Sequence, residues 1–157
     1  MKRLVATIIV ALSVLAGMAG TASAAPGEFC NLNIDTGKQT CFATDGELRA
    51  SKSAAEYLLV ELSVDINHVN RAWVTSTRPC TAAYDNETDM VIPNLSVISR
   101  DRNISSFVPH YCRVRFWDGL NYSGTDSPLG YNVCANMHNC FGSAGDWNDR
   151  PRSLRMT

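Results

Sequence analysis

Charge is scarce in this sequence. Asp, Glu, Lys and Arg make up 18% of its 157 residues, with 14 Lys and Arg against 15 Asp and Glu. Two of the cations, Lys2 and Arg3, open the chain, so the part from residue 25 onward holds 12 against 15 and a net charge of −3. A binder that works by neutralising phosphates needs a basic excess, so nucleic acid is excluded as a partner, and a polybasic membrane contact with it. Long apolar runs are absent after residue 24, which argues against a membrane span. There is no G-x-S-x-G, no H-E-x-x-H and no phosphate-cradling glycine loop. His68, His110 and His138 are scattered and form no recognisable triad, so the expectation is a protein that is not an enzyme. C-x-x-C pairs are lacking too, and His138 between Cys134 and Cys140 has no second histidine at ligand spacing, so zinc is not expected.

What is present begins with export. A positive start at Lys2 and Arg3 leads into an uncharged apolar stretch over 4–16, then small residues ending in Ala22, Ser23 and Ala24. That order of positive, apolar and A-x-A segments reads as a secretory signal over 1–24, and the localisation as secreted and extracellular. All six cysteines, at 30, 41, 80, 112, 134 and 140, lie beyond it. An even number of cysteines on an exported chain implies a disulfide framework. Many pairings remain open. Spacing favours Cys30–Cys41 and Cys134–Cys140 as short local loops, with Cys80–Cys112 tying the middle of the chain to its last third.

The chain from 25 to 56 reads as an N-terminal lead-in. It has a loose start at Ala25, Pro26 and Gly27, a turn at Thr36, Gly37 and Lys38, and a short strand around Thr40, Cys41 and Phe42. A short helix is expected between Asp45 and Glu56, capped by Asp45 or Ser51. From Tyr57 the pattern turns to short β-rich runs at 58–64, 72–75, 91–93, 96–98 and 111–117. In the last of these Cys112, Val114 and Phe116 share one face, and Arg113 and Arg115 the other. Runs of this length, separated by Asn, Asp, Gly, Ser and Pro, predict an all-β sandwich or barrel.

The last third carries a more specific pattern. Trp117 is followed by four residues, Tyr122, one residue and Gly124. The tail then runs Asn148, Asp149, Arg150, Pro151, Arg152, Ser153. Together these resemble one Greek-key motif of the βγ-crystallin superfamily, in which aromatics and a glycine form a folded hairpin and a later serine packs over it. The glycine adopts a backbone shape that a Cβ would oppose. An earlier copy is readable in the 62–68 segment: Asp65 aligns with Asp118, Asn67 with Asn121 after one slip, and His68 with Tyr122. Asn70 stands where the glycine belongs. The first tail is Asp101, Arg102, Asn103, Ile104, Ser105, Ser106. The resemblance implies a disulfide-stapled, two-motif Greek-key sandwich over 57–157, with motifs at 57–109 and 110–157, behind the lead-in at 25–56. The exported layout is also similar to an actinobacterial secreted group, the peptidase inhibitor I36 family, whose best-known members inhibit metallopeptidases.

The resemblance implies two kinds of site. Many microbial βγ-crystallins bind calcium through an [N/D]-[N/D]-x-x-[S/T]-S stretch in each motif, which here places Asp101, Ser105, Asn148 and Asp149 as ligands. Both stretches depart from the pattern. Arg102 replaces an oxygen-bearing residue and Arg152 a hydroxyl, and a guanidinium has no lone pair to give a cation. These residues are therefore expected to hold turns, with no cofactor required and calcium as the alternative. For inhibition, the loop between Cys134 and Cys140 is the candidate: a disulfide-closed segment that offers Asn136, Met137 and His138, with Met137 entering an apolar pocket of an extracellular peptidase. The protein is expected to be a monomer. A toxin or envelope-binding role, using exposed tryptophans among Trp73, Trp117 and Trp147, is the third reading.

Overall fold

The computed structural model describes residues 29–81, 87–130 and 132–157. The secretory signal expected at 1–24 and the loose start expected at 25–27 lie outside them. Among the described residues eight strands run in chain order: β1 (Phe29–Asn33), β2 (Lys38–Phe42), β3 (Tyr57–Ser63), β4 (Arg71–Ser76), β5 (Met90–Ile92), β6 (Ser106–Pro109), β7 (Val114–Trp117) and β8 (Ser153–Met156). One helix, α1 (Asp45–Ser51), follows β2. Thr44 caps it, accepting from the Glu47 amide, and the Glu47 side chain returns to the Thr44 amide. This reciprocal box places the cap one residue before the expected Asp45.

The strands form two sheets, one ordered β2-β1-β4-β3-β6 and the other β5-β8-β7. Their connections exchange strands between the two halves of the chain. β5 belongs to the first half yet pairs antiparallel with β8 of the second. In return, the segment at Cys134 bridges to Phe107 in β6 of the first half. The five-stranded sheet takes all its strands from residues 29–109, while the three-stranded sheet draws on both halves, and this sharing makes the body a two-motif Greek-key sandwich.

Alternation explains the packing. Val114 and Phe116 of β7, Leu154 and Met156 of β8, and Met90 and Ile92 of β5 all turn inward. They meet Leu59, Val60, Leu62 and Val74 from the other sheet, together with Phe107 and Trp147. A register shift between Leu58 and Val60 puts Leu58 in a second, smaller cluster with Leu48 of α1 and Trp73. The helix thus covers the outer surface of the first sheet.

The lead-in adds two strands to that sheet. β1 lies parallel to β4, with Cys30 opposite Ala72 and Asn33 opposite Thr75, and β2 folds back antiparallel along β1. The run at 96–98, read as a strand, is instead a 3-10 turn over Leu95–Ile98. Asn94 caps it by accepting from the Ser96 amide, and Leu95 and Ile98 enter the core. Three disulfides join Cys30 to Cys41, Cys80 to Cys112 and Cys134 to Cys140.

Candidate functional site

The two halves build the same folded hairpin. In the second, Asn121 and Tyr122 take left-handed backbone (φ 52° and 62°) and Gly124 follows at φ 79°. In the first, Asn67, His68 and Asn70 take φ of 59°, 64° and 53°. A serine locks each hairpin. Ser153 Oγ accepts from the Tyr122 amide at 3.0 Å and donates to the Gly119 carbonyl at 2.7 Å. Ser106 Oγ accepts from the His68 amide at 3.0 Å and donates to the Asp65 carbonyl at 2.6 Å. Asp65 therefore corresponds to Gly119, not to Asp118, and the two segments align with no slip. Asn70 adopts the glycine's conformation, as asparagine tolerates better than most residues, and its side chain donates to Asp65.

The two tails face each other across a local twofold. The Arg102 amide donates to the Pro151 carbonyl at 2.8 Å, and the Asp149 amide to the Ile104 carbonyl at 3.0 Å. This brings three of the four calcium candidates, Ser105, Asn148 and Asp149, together and leaves Asp101 apart from them. Asp101 faces Arg152, whose Nε and Nη2 reach Oδ1 and Oδ2 at 3.0 and 3.3 Å. Ser105 faces Asp149, with Oγ 3.5 Å from Oδ1. Asn148 donates to the Asp149 carboxylate at 2.7 Å, and its own buried Oδ1 has no partner. Arg102 and Arg150 line a concavity of about 220 Å³ together with Asp118 and Asp149. Calcium does not fit this donor set: a guanidinium already satisfies Asp101, and two more flank Asp149. Among the described residues no group of three or more His, Cys, Asp and Glu side chains is arranged to hold a metal ion.

The 134–140 loop is held firmly. Cys134 exchanges both backbone hydrogen bonds with Phe107 at 2.9 Å, the Met137 amide donates to the Ser105 carbonyl at 2.8 Å, and the Trp147 amide to the Met137 carbonyl at 3.1 Å. Met137 itself is fully buried in the main core. The expectation that it enters a peptidase pocket is corrected by that burial: its thioether anchors the loop from within. Asn136 is half-buried, and its Oδ1 accepts from the His138 amide. Ala135, His138 and Asn139 face solvent. His138 Nδ1 meets Asp146 at 2.8 Å. The Asn148 amide, and then His138, hold the Asp146 carboxyl below its ordinary range.

A charged network without a sequence signature lies beyond these sites. Glu61, nearly buried on β3, meets Arg71 at 2.8 Å and His110 at 2.9 Å, and Arg71 also meets Asp45 at 3.0 Å. Burial is the largest influence on Glu61 and pushes its carboxyl up. The hydrogen bonds from His110 and Arg71, with their charges, outweigh it and leave the carboxyl below its ordinary value. His68 is pushed down, mainly by burial. Only pairing across strands brings these residues together, so no local spacing announces them. Of the three tryptophans, Trp73 and Trp147 are buried; Trp117 is half-buried, edge-on to Tyr122 at 5.9 Å.

No protein-family model matches the chain, and no curated protein matches it. One solved structure is similar, a beta gamma crystallin from Ciona intestinalis. It shares 18% identity at a TM-score of 0.45, over 62% of this chain and 98% of that one. Among the described residues no helix is long and apolar enough to cross a membrane.

Proposed function

We propose that the chain is a secreted, non-catalytic protein that inhibits an extracellular metallopeptidase through the 134–140 loop. The observation that carries this reading is the loop's closure. A disulfide, backbone hydrogen bonds to Phe107 and Ser105, and the buried Met137 fix it before any partner arrives. A loop ordered in advance loses little entropy on binding and resists release after a cut. With Met137 turned inward, the contact edge consists of Ala135, His138 and Asn139, beside Val133, which is 61% exposed. The resemblance of the exported layout to the I36 inhibitors supports the same class.

The test is a panel of metallo-, serine and cysteine peptidases. The expected result is inhibition of a thermolysin-like enzyme with Ki in the micromolar range or below, weakened when Cys134 and Cys140 are both replaced by serine. No inhibition anywhere in the panel overturns the proposal. A second reading, a purely structural crystallin-like protein that needs no calcium, is favoured by the Asp101–Arg152 ion pair. The envelope-binding reading loses support because Trp73 and Trp147 are buried.

A further inference from the structure

The outer face of the β5-β8-β7 sheet has an unusual charge arrangement. β8 is the central strand, with Leu154 and Met156 committed to the core, so Arg155 points outward. Its neighbours in register are Val91 on β5 and Arg115 on β7. Two arginines directly opposite each other across an antiparallel pair repel. Arg115 is relieved by Asp126, Nη1 to Oδ2 at 3.2 Å. Arg155 has no carboxylate partner among the described residues. Its guanidinium lies over Tyr122 at 4.5 Å and Trp117 at 5.2 Å, and its Nε finds no acceptor.

Aromatic stacking covers the face of a guanidinium and leaves its edge, the part that forks onto a planar carboxylate. Arg155, Arg115, Trp117, Leu129, Thr88 and Thr157 line a small concavity of about 90 Å³. The buried Thr157 hydroxyl there also lacks a partner. The space suits one small group; drug-sized ligands occupy roughly 300 Å³ or more. Beside it lies Val91, 44% exposed, an apolar surface for whatever carries the group.

We infer that this face is a carboxylate-binding site centred on Arg155, and that it takes an acidic side chain of a peptide or protein. The carboxylate supplies the counter-charge that Arg155 lacks, and the residues around it rest on Val91 and Trp117. The site is separate from the 134–140 loop and does not depend on the peptidase reading.

The test is NMR titration of the whole exported chain at constant ionic strength, following the Arg155 Nε–H and Trp117 indole N–H signals. The probes are sodium acetate, sodium sulfate, sodium chloride and a short capped peptide containing one glutamate. The expected result is saturable acetate binding at both signals, with the peptide at least tenfold tighter. Arg155→Lys should weaken binding at least tenfold, and Arg115→Gln severalfold with an unchanged circular-dichroism spectrum. A chloride response equal to acetate's, or binding unaffected by Arg115→Gln and Arg155→Lys, overturns the site. Sulfate as effective as acetate overturns the carboxylate assignment, and a peptide no tighter than acetate overturns the peptide source.

Discussion

Asp101 and Arg152, 51 residues apart in sequence, are joined across the two motifs by a two-point ion pair. Arg152 stands where the expected calcium pattern has a hydroxyl, and its guanidinium already engages both oxygens of the Asp101 carboxylate. The expected outcome is a melting temperature that does not change between chelator and millimolar calcium. Arg152→Ser removes the guanidinium and restores the hydroxyl. It should make the melting temperature calcium-dependent, worth about 1.4 kcal/mol at ten times Kd. Scanning calorimetry of both proteins checks this, and a calcium response already present in the wild type contradicts it.

Ser106 and Ser153 each bridge two backbone groups of a hairpin, and both are fully buried. Alanine at either position leaves a buried amide and a carbonyl without that partner, at a cost of about 1–3 kcal/mol. Chemical denaturation should give similar losses for the two variants, because the geometry is repeated. A loss confined to Ser153→Ala would mean that the first hairpin is held by other contacts.

Met137 and His138 are neighbours with opposite roles. Met137→Ala opens a cavity in the main core and should cost about 2–5 kcal/mol. His138→Ala removes an exposed ion pair with Asp146, which is worth little, and should leave stability nearly unchanged. If the loop binds a peptidase, His138→Ala should weaken inhibition at unchanged melting temperature. Thermal unfolding and inhibition assays on the same samples separate the two effects.

Acid should destabilise the fold in two stages. His68 is lowered from 6.5 by burial, so below that pH the unfolded chain takes up a proton more readily than the folded one, and stability falls. Glu61 is lowered from 4.5, and its contribution, present above that value, is lost as pH falls further. Asp35, Asp118 and Asp146 are lowered as well and join the second stage. Urea midpoints from pH 8 to 3 should show both stages, and His68→Asn should remove the first. A midpoint that rises between pH 7 and 5 contradicts the assignment.

Gly124 sits at φ 79°, where a Cβ would overlap the Asp118 carboxylate. Gly124→Ala should cost more than about 1 kcal/mol, through left-handed backbone strain and that overlap together. Asn70→Gly should change stability less, because relief of backbone strain offsets loss of the side-chain bond to Asp65. Urea denaturation of the two variants provides the comparison.

The legible parts of the fold were those set by local chemistry. Val114 and Phe116 alternate with Arg115 as a half-buried strand must. Trp117, Tyr122, Gly124 and Ser153 announce the second hairpin because it needs an aromatic cover, a left-handed residue and a capping hydroxyl. The first hairpin was harder to place, since Asn70 replaces the glycine and Asp65 falls where a chance match to Asp118 misleads. The parallel docking of β1 on β4 has no local signature, and neither has the Glu61–His110–Arg71 network. Met137 looked exposed because its neighbours are polar; only the turn of the loop back toward Ser105 and Trp147 shows that its side chain faces inward.

The parallel seating of β1 against β4 imposes an order on folding. β1 is synthesised early, but its partner in the sheet is about forty residues further along the chain, so its place does not exist when it emerges. β2 is available almost at once, and the Cys30–Cys41 bond can lock the two into a hairpin in an oxidising compartment. The first piece of the body can thus be finished and sealed while it waits, and the last step for the lead-in is the docking of a rigid part instead of the threading of a loose strand.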